Sequence, residues 1–310
     1  MTRIVAPADF GGPEQLRLTE VPTPEPGPGE VRVAVRAIGV NPVDWKSYSG
    51  VMQRNPAVLT SIGNEVSGVI SAVGDGVDGW SVGDEVIVPR VPGSAYADDV
   101  LAPADGLSRK PEGLSFEQAA AVSLVAGTAA HAVEAAKVSQ GDTLLLHGGS
   151  GGVGGLVVQL AKRRGARVIA TGSEESQDYL RSLGAEPTIY GNGLLDRVRA
   201  LAPEGVDEVI DTSGRDEAID ASLQLVRDPS RIVSIVAFGR ADDGITLIGG
   251  GPGADAGTEL RKKAWPEIAQ LVADGKIVLP IERTYALEET AQAHRDSQSG
   301  HTRGKLVVVP

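Results

Sequence analysis

Cysteine is absent from all 310 residues, which excludes disulfides and thiolate-ligated metals. Histidine is nearly as scarce. His131, His294 and His301 show no ligand spacing, so no metal site is expected. Long apolar runs are also missing. No stretch approaches the roughly 20 residues that cross a bilayer, and the opening MTRIVAPADFGG lacks the apolar core of a secretory signal. The expectation is a cytoplasmic protein with no membrane partner. Positive charge is in deficit, with 29 Lys and Arg against 41 Asp and Glu, a net charge of −12. That balance argues against nucleic acid as a partner. No internal repeat stands out, and the only biased stretch is the proline-rich turn VPTPEPGPGE at 21–30.

Glycine, by contrast, is concentrated. HGGSGGVGG (147–155) packs six glycines into nine residues. An apolar run of strand length, DTLLL, precedes it. After it, Val153, Leu156, Val157, Leu160 and Ala161 recur at helical spacing, and Arg163, Arg164 and Gly165 have the character of a helix end. A strand, a glycine turn and a helix N-terminus make an anion site, because free N–H groups point at whatever sits there and missing side chains admit a pyrophosphate. The competing reading is a tight turn that needs only positive φ angles. Downstream, ARVIATGS, VDEVIDTSG, SRIVSIVAFG and the edge GITLIGG are strand-like, with a short helix at EESQDYLRSLGA. Alternating strands and helices imply a doubly wound parallel sheet, whose first glycine turn is where a dinucleotide fold holds its pyrophosphate. His147 is expected to pack behind the turn, and Asp211 to anchor a loop.

The first 110 residues have a different texture, that of an all-β module. EVRVAVRAIGV alternates like a half-buried strand, and EVSGVISAVGDGV and VGDEVIVPR are short strands punctuated by glycine and aspartate. Helical signals return at SFEQAAAVSLVAGTAAHAVEAA, where Ser115 and Gln118 form a capping box. The tail ends as a helix, a loop and a closing strand. A β-rich module, a nucleotide domain and a returning tail suggest an enzyme with a cleft between two lobes.

Taken in order, GNEVSGVISAVGDGV, VGDEVIV, GSGGVGGLVVQLAK, RSLGAE, VDEVIDTSG and the terminal GKLVVV resemble the medium-chain dehydrogenase/reductases over nearly the whole chain. IGVNPVDWKSYSG (38–50) is most similar to the zinc-free quinone oxidoreductases and their enone- and alkenal-reducing relatives. The resemblance implies an α/β protein: a GroES-like β-rich catalytic domain at 1–115 with 265–310, and a Rossmann NAD(P)-binding domain at 116–264. It also implies a homodimer paired through the last strand of the nucleotide sheet, for which GITLIGG supplies an apolar edge.

Against the zinc branch of that family, Asn41 stands near a cysteine ligand's place, and Gly63-Asn64-Glu65 replaces Gly-His-Glu. An amide is a poor zinc ligand, and the four-cysteine structural loop is missing, so the expectation is zinc-independence. Without a Lewis acid, alcohol oxidation is hard at neutral pH, whereas an electron-poor quinone or enone needs little help. The resemblance places Asn41 beside nicotinamide and acceptor, with Asp44 fixing its loop. The plain alternative for Asn41-Pro42 is a turn starter. Lys46 is a candidate to stabilise a developing enolate or hydroquinone anion, against a merely solvated lysine. Tyr48 is a candidate proton donor, and solvent is a sufficient one.

For the cofactor, Gly149, Ser150, Gly151, Gly152, Val153 and Gly154 form the pyrophosphate turn. Thr128, Phe238 and Gly239 match positions near the nicotinamide. The tip of the second strand, Thr171-Gly172-Ser173, carries no carboxylate, which favours NADPH over NADH, and Tyr190 matches a tyrosine that contacts the 2′-phosphate in quinone oxidoreductases. Ser173, Ser176 and Tyr190 are the expected cofactor contacts there, yet Ser176 stands where those enzymes use a lysine and Gly300 roughly where they use an arginine, and Glu174 and Glu175 follow, so NADH stays open. The expected function is an NADPH-dependent quinone reductase, with an enone or 2-alkenal reductase, or a catalytically weak NADPH-binding protein, as alternatives.

Overall fold

A computed structural model describes residues 1–52 and 55–310. The chain forms two compact units: Met1–Leu124 with Ala269–Asp274 and Pro280–Pro310, and Val125–Ile268 with Gly275–Leu279.

In the first unit, β1 (Thr2–Pro7) and β2 (Leu16–Val21) form an antiparallel ribbon. The long strand β3 (Glu30–Val40) alternates in burial along its first half and is buried on both faces at its end, as a strand does when it passes under a second layer. It leads directly into α1 (Pro42–Ser49), followed by β4 (Val66–Val73), β5 (Glu85–Val88), β6 (Asp99–Pro103) and β7 (Ser108–Arg109). The helix α2 (Phe116–Ala135) starts behind the anticipated capping box: the Gln118 N–H donates to Ser115 Oγ at 3.2 Å, and the Ser115 N–H to Gln118 Oε1 at 3.4 Å.

The second unit alternates β8 (Thr143–His147), α3 (Gly152–Arg163), β9 (Arg167–Gly172), α4 (Gln177–Ser182), β10 (Glu186–Ile189), α5 (Leu194–Leu201), β11 (Glu208–Asp211), α6 (Asp216–Leu223), β12 (Ile232–Ser234) and β13 (Thr246–Leu247). The six strands are parallel in the order β10-β9-β8-β11-β12-β13. That is the doubly wound order in which the chain reverses direction beside the first strand. After α7 (Thr258–Ala273), the chain adds β14 (Ile281–Ala286), α8 (Thr290–Ser299) and β15 (Lys305–Val309) to the first unit. There β15 pairs antiparallel with β3, setting Leu306 opposite Val40 and Val307 opposite Gly39. Each unit has its own apolar core, one centred on Val31, Ile38, Val66 and Ile70, the other on Leu145, Ile169, Val209 and Ile232.

Three features depart from the sequence pattern. The first unit is not purely β, because α1 occupies the stretch after Asn41. The Asp44 carboxylate caps that helix by accepting the Asn41 N–H at 2.9 Å, and Pro42 sits in the first turn, where its missing donor costs nothing. Strand β10 and helices α5 and α6 carried no clear periodic signal. Glu-Pro-Thr-Ile is a four-residue strand that tolerates Pro187 because it lies at the sheet's edge. At the opposite edge, GITLIGG yields only the two-residue β13, and Ile245, Leu247 and Ile248 are buried in their own unit. The apolar surface that pointed to a strand-paired dimer is therefore already covered.

Candidate active site

In the second unit, the glycine turn joins β8 to α3. Gly148 takes a left-handed φ of 76°, and the turn is pinned to the neighbouring strand by the Gly149 N–H on Thr171 O at 2.9 Å and the Gly148 N–H on Thr171 Oγ1 at 3.2 Å. The glycines have different tasks. A Cβ on Gly149 would press on Ala170 and Leu180 at 2.9–3.0 Å, whereas one on Gly151 would meet nothing nearer than 3.7 Å. A Cβ on Gly154 would collide with the Gly148 carbonyl oxygen. Gly154 is thus a packing glycine that lets α3 lie against its own turn, whereas Gly151, the N-cap of α3, has free space where a Cβ would stand. This corrects the expectation that Gly154 clears the ligand's path. Behind the turn, His147 is buried and bonded to Ser222 Oγ at 3.0 Å, with its pKa well below the ordinary value because of burial. Asp211 anchors the next loop, accepting from Ser213 N–H at 2.9 Å and from Ser213 and Ser234 hydroxyls at 2.7 Å.

The remaining cofactor candidates of this unit fall in two places. Thr128 is buried, and its Oγ1 accepts from Arg261 Nη1 at 3.3 Å. Arg261 Nε donates to His131 Nδ1 at 3.2 Å, so His131 carries its proton on Nε2, facing Asp255 Oδ2 at 3.2 Å. Phe238 and Gly239 open a 3-10 turn beyond β12. At the tip of β9, Ser173 is partly exposed, but Ser176 is buried, with its hydroxyl turned back to Ser173 O at 2.9 Å. An inward serine offers nothing to a phosphate, which corrects its place among the cofactor contacts. Tyr190 lies over the same tip, its N–H on Gly172 O at 3.4 Å, with the Arg215 guanidinium 4.5 Å above its ring.

In the first unit, the end of β3, the start of α1 and β15 enclose a polar cluster. Lys305, buried in an otherwise apolar strand, donates to Val40 O at 2.9 Å, Asn41 Oδ1 at 2.5 Å and Glu65 Oε1 at 3.4 Å. Asn41 Nδ2 donates to Glu65 Oε1 at 3.0 Å and Gly39 O at 3.3 Å. The other Glu65 oxygen accepts the Ser123 hydroxyl and the Leu124 N–H. Both Glu65 oxygens are thus engaged, as a fully buried carboxylate requires. Gly39 is glycine because any Cβ would strike Ala120 O and crowd Glu65.

Beside this cluster runs a second chain of bonds. Asp44 Oδ2 accepts the Tyr96 hydroxyl at 2.8 Å, and Oδ1 accepts Asn64 Nδ2 at 2.6 Å. With Tyr96 donating to Asp44, its oxygen accepts from His294 Nε2 at 2.9 Å, which leaves His294 Nδ1 to accept the Tyr48 hydroxyl at 2.7 Å. Burial raises Asp44 to about 6 against its hydrogen bonds and the Lys305 charge, and pushes His294 down to about 3. Tyr48 has no exposed surface, and burial raises its pKa above the ordinary range. A phenol so enclosed does not deliver a proton to a substrate, which corrects its assignment as a donor. Lys46 is half-buried, 5.5 Å from the Trp45 ring centre, and desolvation lowers its pKa.

Sequence reasoning missed Lys305 as a site residue, and Glu65 and Tyr96 with it. The available signal was a charged residue inside GKLVVV and another inside GNEVSG, since a charge in a buried strand demands a partner.

The alcohol dehydrogenase GroES-like domain family matches residues 27–135, and the zinc-binding dehydrogenase family matches 183–308. A quinone oxidoreductase of Pseudomonas aeruginosa is 32% identical, with both chains fully covered. The structure of Escherichia coli quinone oxidoreductase complexed with NADPH superposes with a TM-score of 0.88 at 27% identity, covering both chains fully. The CurK enoyl reductase structure gives a TM-score of 0.85 at 26% identity over 99% of each chain. The chain belongs to the medium-chain dehydrogenase/reductases, within their quinone oxidoreductase branch, and is an oxidoreductase. Among the described residues, no helix is long and apolar enough to cross a membrane.

Proposed function

We propose that the protein reduces quinones, or related electron-poor acceptors, with NADPH and without zinc. The observation that carries this reading is the Lys305 ammonium lodged between Asn41 and Glu65. Zinc, which the matched dehydrogenase family implies, does not suit these residues. Asn41 and Asn64 offer amides, cysteine is absent, and a dication would be repelled by the ammonium beside it. Without a Lewis acid, the favourable reaction is addition to an acceptor that is already electron-poor.

The dinucleotide fits the second unit. Gly149–Gly154 and the free N–H groups of α3 would hold its pyrophosphate, Thr128, Phe238 and Gly239 its nicotinamide end, and Ser173 and Tyr190 its adenosine ribose. Bound NADPH supplies the hydride. On the first unit, Lys305 and Glu65 orient the Asn41 amide and Asp44 holds the start of α1, so this loop is rigid before any ligand arrives. Lys46, whose ammonium makes no ion pair among the described residues, supplies positive charge to the acceptor oxygen, and solvent supplies the proton. An enone or alkenal reductase is the second reading, favoured by the similarity to an enoyl reductase. A homodimer along β13 belongs to the same proposal, and it requires a second copy to displace Asp255, whose N–H already bonds Leu247 O at 3.0 Å on the outer edge of that strand. Light scattering reads it directly.

The test is NADPH oxidation against a panel of benzoquinone, naphthoquinone, cyclic enone and alkenal, with and without chelator. Turnover of quinones that survives the chelator is expected. Preference for the enones selects the second reading, and no turnover with any acceptor rejects both in favour of a nucleotide-binding protein. Lys46→Met should lower kcat about a hundredfold at unchanged cofactor affinity. Wild-type turnover in that variant removes the lysine from the mechanism.

A further inference from the structure

We infer that Arg215 recognises the 2′-phosphate of NADPH, a role that deepens the proposed cofactor and rests on it. In a doubly wound fold, the ribose that distinguishes NADPH from NADH lies at the tip of the second strand. That strand is β9, and its tip, Gly172 and Ser173, carries no charge. Ser176 is turned inward and cannot serve. The acids Glu174 and Glu175 follow at once, so a phosphate there needs a cation brought from elsewhere.

The fold brings one from the other side of the sheet. Tyr190 follows β10 and is held on the β9 tip by its N–H on Gly172 O. Arg215 follows β11, three strand positions from β10, which is about 14 Å at the usual strand spacing. Their side chains meet only because both loops converge over the carboxyl ends of the strands. Gly191–Leu195 and Glu217, Asp220, Ala221 and Gln224 line one groove there. Arg215 is exposed, and its guanidinium makes no hydrogen bond or ion pair among the described residues. The contrast with its neighbours is instructive. Arg240 is held by Asp216, Asp220 and Asp243, and Arg197 by the carbonyls of Ile189 and Asn192. Stacking on Tyr190 fixes the plane of the Arg215 guanidinium while leaving its donors free, and a planar fork matches a phosphate's oxygens. The tyrosine orients the cation, and the cation meets the phosphate.

The experiment compares wild type, Arg215→Met and Arg215→Lys by fluorescence titration with NADPH and NADH, and by competition with 2′,5′-ADP and 5′-AMP. Arg215→Met should weaken NADPH and 2′,5′-ADP by about tenfold or more, leave NADH and 5′-AMP within about twofold, and be partly rescued by lysine. Circular dichroism confirms that each variant is folded. An unchanged NADPH-to-NADH affinity ratio, or equal loss of both cofactors, overturns the role and leaves Arg215 a packing partner of Tyr190. A wild-type protein that binds NADH as tightly as NADPH fails the cofactor reading itself, and Arg215 with it. The wild-type titration therefore separates the two failures.

Discussion

The candidate sites of the two units are built by opposite means. The glycine turn of the second unit works by missing side chains: backbone carbonyls, N–H groups and open space do the work, within nine consecutive residues. The polar cluster of the first unit works by side chains gathered from distant places, with Asn41, Glu65 and Lys305 meeting because β4 and β15 both pair with β3. The first kind of site leaves no room for an added carbon at Gly149 or Gly154. The second tolerates neighbouring changes but no missing partner, since each buried charge is satisfied by groups on other elements.

The sharpest way to break the second kind is Lys305→Met. It leaves Glu65 buried without its cation and Asn41 Oδ1 without its donor, at a cost of about 3–5 kcal/mol. Urea unfolding should show that loss, and adding Glu65→Gln should recover part of it. Additive losses in the double variant would mean that the two do not act as a pair.

A smaller effect separates the glycines. Gly154→Ala sets a carbon against the Gly148 carbonyl and should cost about 1–3 kcal/mol, with cofactor binding lost as the turn shifts. Gly151→Ala should leave stability nearly unchanged and weaken NADPH selectively, because its space is open within the protein and needed only by a ligand. Thermal unfolding alongside cofactor titration reads both. Equal stability losses would erase the distinction between a packing and an approach glycine.

The mildest test is pH. His294 is held at about 3 and His147 below its ordinary 6.5. The unfolded chain therefore takes up protons that these folded sites refuse, and their contribution to stability, complete above pH 6.5, is lost on acidification. Asp44, raised to about 6, acts in the opposite sense. Its contribution is complete below its unfolded value near 4 and disappears as pH rises through 6. With two histidines against one aspartate, stability should fall by roughly 1 kcal/mol per pH unit between pH 6 and 4. His294→Gln should flatten that slope. A profile that is flat in the wild type would contradict the neutral, buried histidines of both units.

Much of this protein is legible locally. The strand, glycine turn and helix around His147–Gly155 follow from residue order, because close approach and helix periodicity are short-range requirements. The alternating strands of the second unit, the Ser115 cap and the poor fit to zinc follow in the same way from composition and spacing. What remained illegible was non-local. Nothing near Lys305 names Glu65 as its partner, and nothing near Ser176 or Tyr48 says that their hydroxyls turn inward. Arg215 has no local signal at all, since only the convergence of two loops carries it to Tyr190. The sequence by itself determined the two-part α/β architecture and the strand–glycine turn–helix, because backbone geometry and hydrophobic periodicity are written residue by residue. Only the tertiary structure decided which polar side chains are enclosed, which are free and which meet, because burial and charge pairing depend on strands hundreds of residues apart coming into register.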